Sequence, residues 1–222
     1  MPAPVIVFDV NETLSDLSPL DGVFEGLGAP PGSAATWFAL VLRDGFALSV
    51  ADQRPVFADV ARESARALLS TYAVQRPLEE ALEELMGAMA DLPVHPDVPD
   101  GVRRLAASGH RLVTLSNGSV GIAEALLTRA GVRDQFEELF SVEEVSPWKP
   151  ASSAYGQAAA RCQVAPWDMV LVASHPWDVD GAIRAGLRGI WLDRRGSVYP
   201  GTFTAPTATV STVGEVADVL AG

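Results

Sequence analysis

Cysteine is almost absent: Cys162 is the only one, so no intramolecular disulfide can form and a disulfide-built secreted scaffold is excluded. It reads as a small apolar filler in the helical run Tyr155–Gln163 rather than as a catalytic thiol. Histidine is also sparse. The chain holds three, none in a His/Cys cluster at ligand spacing, so no zinc site is expected. No apolar run reaches the roughly 18 residues that a membrane span requires. Cations are few as well: 16 Lys and Arg stand against 28 Asp and Glu, for a formal net charge of -12. A phosphate-tracking surface needs clustered Lys and Arg, so neither nucleic acid nor an anionic membrane is an expected partner. A small anionic substrate stays open, because a few local cations outweigh the global field. Met1–Pro4 carries no basic n-region and the apolar run after it is short, so no secretory signal is expected and the compartment is read as cytoplasmic.

The composition that remains is that of a globular protein, 48% hydrophobic and 20% charged over 222 residues, which allows one or two domains and a sizeable core. Pro4–Val10 is short, continuously apolar and ends in an acid, the pattern of a strand buried on both faces of a parallel sheet. Arg111–Ser116, Met169–Ala173 and Gly189–Asp193 repeat it, and Ala208–Thr212 adds a further candidate. Helical patterns fall at Pro99–Ser108, Val120–Ala130, Ser152–Gln163 and Val179–Ala185, with Gly131 and Gly186 placed to end two of them. Alternating strands and helices predict an α/β fold with a doubly wound, Rossmann-like parallel sheet, whose ligand crevice lies at the carboxyl ends of the strands.

Residues 16–93 break that rhythm. Trp37–Leu48, Val56–Tyr72 and Leu78–Ala90 read as amphipathic helices with no strand pattern between them. This predicts a helical cap subdomain inserted after the first strand, with the Pro-rich Leu92–Pro99 as the return linker. The core is then 1–15 with 94–222.

Four polar clusters fall at strand ends or in loops of the predicted sheet. Asp9, in Phe8-Asp-Val-Asn-Glu-Thr-Leu14, closes the first strand, where a carboxylate serves as nucleophile, base or metal ligand, or simply caps the next segment. Ser116-Asn117 ends the second strand and offers short donors to an anion. Lys149, in Ser146-Pro-Trp-Lys-Pro150, either holds a carboxylate ionised or is an ordinary loop lysine. Asp178 lies in the loop Ser174-His-Pro-Trp-Asp178.

Together these clusters resemble the haloacid dehalogenase superfamily, over nearly the whole chain and including a cap of the right size and position. Leu115-Ser-Asn-Gly-Ser119, Ser141-Val with Lys149-Pro150 and Tyr155, and Trp177-Asp178 before Gly181-Ala182 resemble the L-2-haloacid dehalogenases within it. That resemblance implies a hydrolase displacing halide from short 2-haloacids, with inversion, through an aspartyl ester on Asp9. Thr13 would position Asp9, Lys149 would pair with it, and Asp178 would orient or deprotonate the hydrolytic water. Ser116 and Asn117 would hold the substrate carboxylate and its neighbours, while Tyr155 would support the Lys149 side. Asn11, Phe38, Arg43, Ser174, His175 and Trp177 complete the expected substrate-binding set. The resemblance also implies a homodimer.

Two alternatives come with it. Most of the superfamily transfers phosphoryl groups with Mg²⁺, a hard ion held by carboxylate oxygens. Such enzymes carry an Asp two residues after the nucleophile and an acid five places before the position matching Asp178. Here those places hold Asn11 and Ala173, so a phosphatase is poorly supplied and no cofactor is required; Mg²⁺ belongs only to that alternative. The other alternative is a non-catalytic binding module, suggested by departures from the dehalogenase pattern. Asn11 stands where the subfamily has Tyr, Phe38 follows Trp37 in place of Arg, and Ala173 and His175 replace Ser and Asn. Arg43 is the nearby substitute cation. His175 either assists Asp178 in activating water, with an unperturbed pKa near 6.5, or only replaces an amide. Asn11 stays open between halide donor, orienter of the nucleophile and neutral replacement.

Overall fold

The computed structural model describes residues 3–144 and 147–221. Met1 and Pro2 of the leader reading, and Ser146 of the Ser146–Pro150 motif, lie outside the described residues. The chain divides into two compact units, Met1–Ser15 with Val94–Gly222, and Asp16–Pro93.

The first unit is built on β1 (Val5–Phe8), β2 (Leu112–Ser116), β3 (Glu138–Ser141), β4 (Met169–Ala173), β5 (Arg188–Leu192) and β6 (Ala208–Val210). They form one six-stranded sheet in the order β3-β2-β1-β4-β5-β6, and every pair is parallel. Residues of β1, β2 and β4 are buried throughout, as continuously apolar central strands require when helices cover both faces. Successive side chains alternate between faces. Ile6, Phe8, Val170, Val172, Ile190 and Leu192 thus share one core with α5 (Val98–Ala107), α6 (Val120–Arg129) and α9 (Val213–Ala221). On the other side α8 (Pro176–Arg184) packs on β4 and β5 and against α7 (Ser152–Cys162). The α5–α9 contact is close: a Cβ on Gly101 would come within 2.7 Å of the Val213 side chain.

The strand order reverses at β1. From β1 the chain steps outward through β2 and β3, then returns to add β4, β5 and β6 on the opposite side. The crevice at such a reversal, outside the carboxyl ends of the strands, is where open α/β sheets bind ligands. An antiparallel bridge, Ser15 to Val94, ties the outgoing and returning chain together.

The second unit contains α1 (Pro19–Gly26), α2 (Ser33–Val50), α3 (Phe57–Leu69) and α4 (Leu78–Ala90). Each packs on two others: α1 on α2 and α4, α3 on α2 and α4. Trp37 is fully buried there; its indole donates to Ala61 O at 2.9 Å and its ring meets Phe24 at 5.8 Å. Phe38 is buried and packs edge-on against Trp37. Arg43, by contrast, is two-thirds exposed (66%) and bonded to its neighbour Asp44.

The structure adds strand β3 and helices α1 and α9 to the predicted elements and moves several boundaries, among them the start of α2 from Trp37 to Ser33 and that of α8. Strand β3 is four residues at the sheet edge, with Glu138 exposed, so it lacks the buried apolar run that marks a central strand. Helix α1 is eight residues long with a proline in its first turn, too short to show a period. Helix α9 closes the chain after β6. Helix α8 begins at Pro176 instead of Val179, because proline is suited to the first helical position. Trp177 and Asp178 therefore ride on the first turn of a helix, with His175 as its N-cap.

Candidate active site

Asp9 follows β1 at the reversal, its backbone N–H still bonded to Val172 O of β4. Its carboxylate is almost wholly buried (6% exposed) and three side chains converge on it. The Thr13 hydroxyl donates to Oδ2 at 2.7 Å, the Lys149 ammonium to Oδ1 at 2.9 Å, and His175 Nδ1 lies 3.3 Å from Oδ2. Thr13 is itself fixed, accepting the Ser174 N–H at 2.9 Å. Ser174 O in turn accepts the Trp191 indole N–H at 3.0 Å.

Lys149 is completely buried and bridges two acids, Asp9 and Asp178 Oδ2 at 2.6 Å. Burying an ammonium costs several kcal/mol unless carboxylates compensate, and here two do. Asp178 has both oxygens committed, Oδ2 to Lys149 and Oδ1 to the Tyr155 hydroxyl at 2.6 Å. Helix α8 approaches Tyr155 without a side chain in the way: a Cβ on Gly181 would lie 2.7 Å from the Tyr155 hydroxyl oxygen and 2.6 Å from Pro150 Cβ. Asn117 holds the backbone of the lysine. Lys149 N–H donates to Asn117 Oδ1 at 2.8 Å, and Asn117 Nδ2 donates to Lys149 O at 3.3 Å. Ser116 is buried at the end of β2, its Oγ accepting the Gly118 N–H at 2.9 Å.

These surroundings separate the two carboxyls. Burial alone would raise Asp9, but the Lys149 ammonium and the His175 bond outweigh it and hold the group well below the carboxylate range. Burial raises Asp178, and although Lys149 opposes this the group stays above its ordinary value. Lys149 is raised despite its burial, by Asp178 and then Asp9. Burial, followed by the Asp178 charge, pushes the Tyr155 phenol well up, so it stays a donor. A pair of acids driven apart by environment marks distinct chemical roles: Asp9 is the one kept ionised.

Sequence reasoning assigned no part to Glu12 or Arg195. Glu12 has φ 60°, a left-handed conformation costing a side-chain-bearing residue about 1–2 kcal/mol. Its carboxylate meets His175 Nε2 at 2.9 Å and Arg195 at 2.6 Å. Burial works against a charge on His175, yet the bonds to Asp9 and Glu12 raise it to about 9. Glu12 is lowered, burial notwithstanding, chiefly by His175. The Trp177 ring lies 5.1 Å from that of His175 at 31°. The signal available in the sequence was positional: Glu12, His175 and Arg195 follow three strands, β1, β4 and β5, that are neighbours in the sheet. Asn11 is half-buried, and its side chain makes no hydrogen bond with another described residue.

The model of the haloacid dehalogenase-like hydrolases matches residues 3–186. The chain belongs to that family. It is similar to (S)-2-haloacid dehalogenase H-109 of Pseudomonas putida, 29% identical over 99% of this chain and 98% of the relative. It is also similar to haloacetate dehalogenase H-2 of Moraxella sp. (strain B), 31% identical over 57% of this chain and 56% of the relative. Among solved structures, an L-2-haloacid dehalogenase at 25% identity superposes with a TM-score of 0.91 over the whole of both chains. One from Xanthobacter autotrophicus, with chloropropionic acid covalently bound, shares the fold: TM-score 0.87 at 22% identity, over 100% of this chain and 99% of that one. In this chain the acid, hydroxyl, lysine and second acid form one hydrogen-bonded group, with a Glu12–His175 pair beside it.

Proposed function

We propose that the protein is a 2-haloacid dehalogenase. Asp9 attacks C2 of a short 2-haloacid and expels halide with inversion. The resulting aspartyl ester is hydrolysed at Asp9 Cγ, so that haloacid and water become 2-hydroxyacid, halide and a proton. The observation that carries this reading is the burial of Asp9 as a carboxylate against Lys149 and Thr13. A carboxylate is a poor nucleophile in water, but one stripped of solvent and held in place gains both reactivity and orientation.

Each neighbour has a share. Thr13 fixes the direction of Asp9 Oδ2, Asp178 and Tyr155 seat the Lys149 ammonium, and Asn117 seats its backbone. The Ser116 hydroxyl keeps its own proton to give to a substrate carboxylate, and the Asn11 amide is available to the departing halide. Trp177 shapes the wall beside His175, and Ser174 supports Thr13. In the helical unit Phe38 packs against Trp37 and Arg43 bonds to Asp44; Arg43→Ala, read by its KM for 2-chloropropionate, tests the expectation that Arg43 binds substrate.

The Mg²⁺ of the family's phosphatases does not fit this donor set. The Lys149 ammonium bridges Asp9 and Asp178 directly, occupying the place a cation between those oxygens would take. Asn11 and Ala173 supply no carboxylate. The reaction therefore runs on Lys149 in place of a metal ion. No described helix is long and apolar enough to cross a membrane; a cytoplasmic homodimer is part of the same proposal, and light scattering in solution tests the dimer.

Halide release from 2-chloropropionate and chloroacetate, with and without EDTA, tests the function. The expected result is EDTA-insensitive turnover that Asp9→Asn abolishes, and ¹⁸O from labelled water appearing in the Asp9 peptide after a single turnover. Phosphate-ester hydrolysis strictly dependent on Mg²⁺, with no halide released, refutes it.

A further inference from the structure

Hydrolysis of the ester needs a proton acceptor for water, and Asp178 is badly placed to be one. It is fully buried, one oxygen spent on Lys149 and the other on the Tyr155 hydroxyl. Burial keeps its affinity for a proton up, but a water would have to displace the Lys149 or the Tyr155 donor to reach either oxygen. Its geometry is that of a support for Lys149.

The second titratable group against the nucleophile is His175. Its Nδ1 lies 3.3 Å from Asp9 Oδ2 and its Nε2 lies 2.9 Å from Glu12 Oε2. Ionised Glu12 only accepts hydrogen bonds, so it fixes a proton on Nε2, and in the neutral ring the lone pair is then on Nδ1, facing Asp9. Glu12 is itself held by Arg195, and the Trp177 ring stacks at 5.1 Å on the imidazole. This is the arrangement of a general base oriented by a third group.

We infer that His175, oriented by Glu12, is the proton acceptor and donor of ester hydrolysis, and that it becomes competent only when Asp9 is esterified. The inference rests on the dehalogenase reading. With Asp9 free, two carboxylates flank the ring, and it is held protonated up to about pH 9, which blocks it as a base. The charged groups around it are Asp9 and Glu12 in the turn after β1, Lys149 behind Asp9, and Arg195 after β5 behind Glu12. Esterification deletes the Asp9 charge alone. The ring then has one anion fewer to favour its proton, releases that proton to solvent and exposes the Nδ1 lone pair.

The step balances. Water adds to Asp9 Cγ while one of its protons passes to His175 Nδ1. The tetrahedral intermediate collapses, breaking the bond from Cγ to the 2-oxygen of the substrate, and His175 returns that proton to the departing alkoxide. Asp9 is left as a carboxylic acid, and the water's other proton passes to His175, restoring both the carboxylate and the protonated ring of the resting state, so that one turnover releases one proton.

Rapid-quench kinetics on the full chain with 2-chloropropionate, read by halide release and by intact protein mass, separate the two half-reactions. For His175→Asn the expected result is a full burst of one halide per site and an ester adduct that accumulates. Steady-state turnover should fall about 10²–10⁴-fold, the usual worth of a general base. Glu12→Gln should slow hydrolysis less and move the acidic limb of its pH profile to lower pH, which a merely structural change would leave in place. Asp178→Asn should impair the burst itself. The inference is overturned if His175→Asn turns over like the wild type, if it loses the burst along with turnover, or if Asp178→Asn keeps the burst and accumulates the ester. Wild-type protein that releases no halide refutes the dehalogenase reading as well, a result separate from those three.

Discussion

Replacing Lys149 by Met removes the charge while keeping most of the volume, and leaves Asp9 and Asp178 buried without the ammonium that bonds to both. Deleting one partner of a buried ion pair costs about 3–5 kcal/mol. A chain of this size loses about 2–4 °C of Tm per kcal/mol, so the variant should melt roughly 6–20 °C lower at pH 8. The loss depends on pH in a definite direction. In the wild type Asp9 is held below its unfolded value, so it adds stability above the unfolded carboxylate range near pH 4, and that stability is lost as pH falls. In the variant the ammonium no longer opposes burial, so Asp178 rises further and Asp9, still bonded to Thr13 and His175, rises from its wild-type position. The protonated forms then favour folding more than in the wild type, and the destabilisation eases on acidification. Urea unfolding followed by tryptophan fluorescence at pH 5 and pH 8 should show a smaller gap between the two proteins at pH 5. Halide release in the variant should climb with pH, by about tenfold per unit while Asp9 remains protonated, whereas the wild type stays flat across neutrality. An equal gap at both pH values would refute the reasoning, because it would show that the ammonium does not set the charge of the two acids.

Three smaller perturbations probe the supports of that lysine. Gly181→Ala puts a methyl group 2.7 Å from the Tyr155 hydroxyl oxygen and 2.6 Å from Pro150 Cβ; we expect a loss of about 1–3 kcal/mol, typical of overpacking, and a fall in kcat, both measured on the purified variant. Tyr155→Phe removes a donor from buried Asp178 and should cost about 1–3 kcal/mol, with the deficit shrinking in chemical denaturation above about pH 10, because the wild-type phenol, pushed up by burial, then works against folding. Asn117→Ala strips the acceptor from the buried Lys149 N–H and should lower stability by a similar ~1–3 kcal/mol, while single-turnover halide release slows because Lys149 no longer sits squarely on Asp9.

The parts legible in the sequence were those where one residue and its immediate neighbours carry the physics. Val5–Phe8 and Met169–Ala173 announce themselves because a strand covered on both faces must be apolar at every position. Asp9, Ser116 and Ser174 stand out as candidates because strand ends face the crevice. Strand β3 escaped because an edge strand tolerates an exposed Glu138. The helical start at Pro176 escaped because Ser174-His-Pro-Trp reads equally well as a loop. The pairing of Glu12 with His175 depends on β4 lying beside β1, and the bond to Arg195 on β5 lying next again. Local pattern does not state strand order. The clamp of Asn117 on the Lys149 backbone is of the same kind: two strand-end loops far apart in sequence meet only once the sheet is assembled.

The strand order also explains how a chain with a net charge of -12 keeps a local balance around Asp9, the proposed nucleophile. Asp9, Asp178 and Glu12 are met by Lys149, His175 and Arg195 through direct bonds. Each anion is thereby compensated inside the group, where charges cost most to leave bare. A phosphatase of this family needs an added divalent ion because its substrate brings charge that the protein's own cations do not match. A 2-haloacid brings only its carboxylate, and the nucleophile's charge passes to the departing halide. On the proposed mechanism, esterifying Asp9 leaves the protein group one positive charge in excess while an anion is leaving. Loss of the His175 proton then restores the balance and produces the neutral ring that hydrolysis requires. The lysine that bridges the two acids and the histidine at the end of β4 thus answer successive charge states of one carboxyl group.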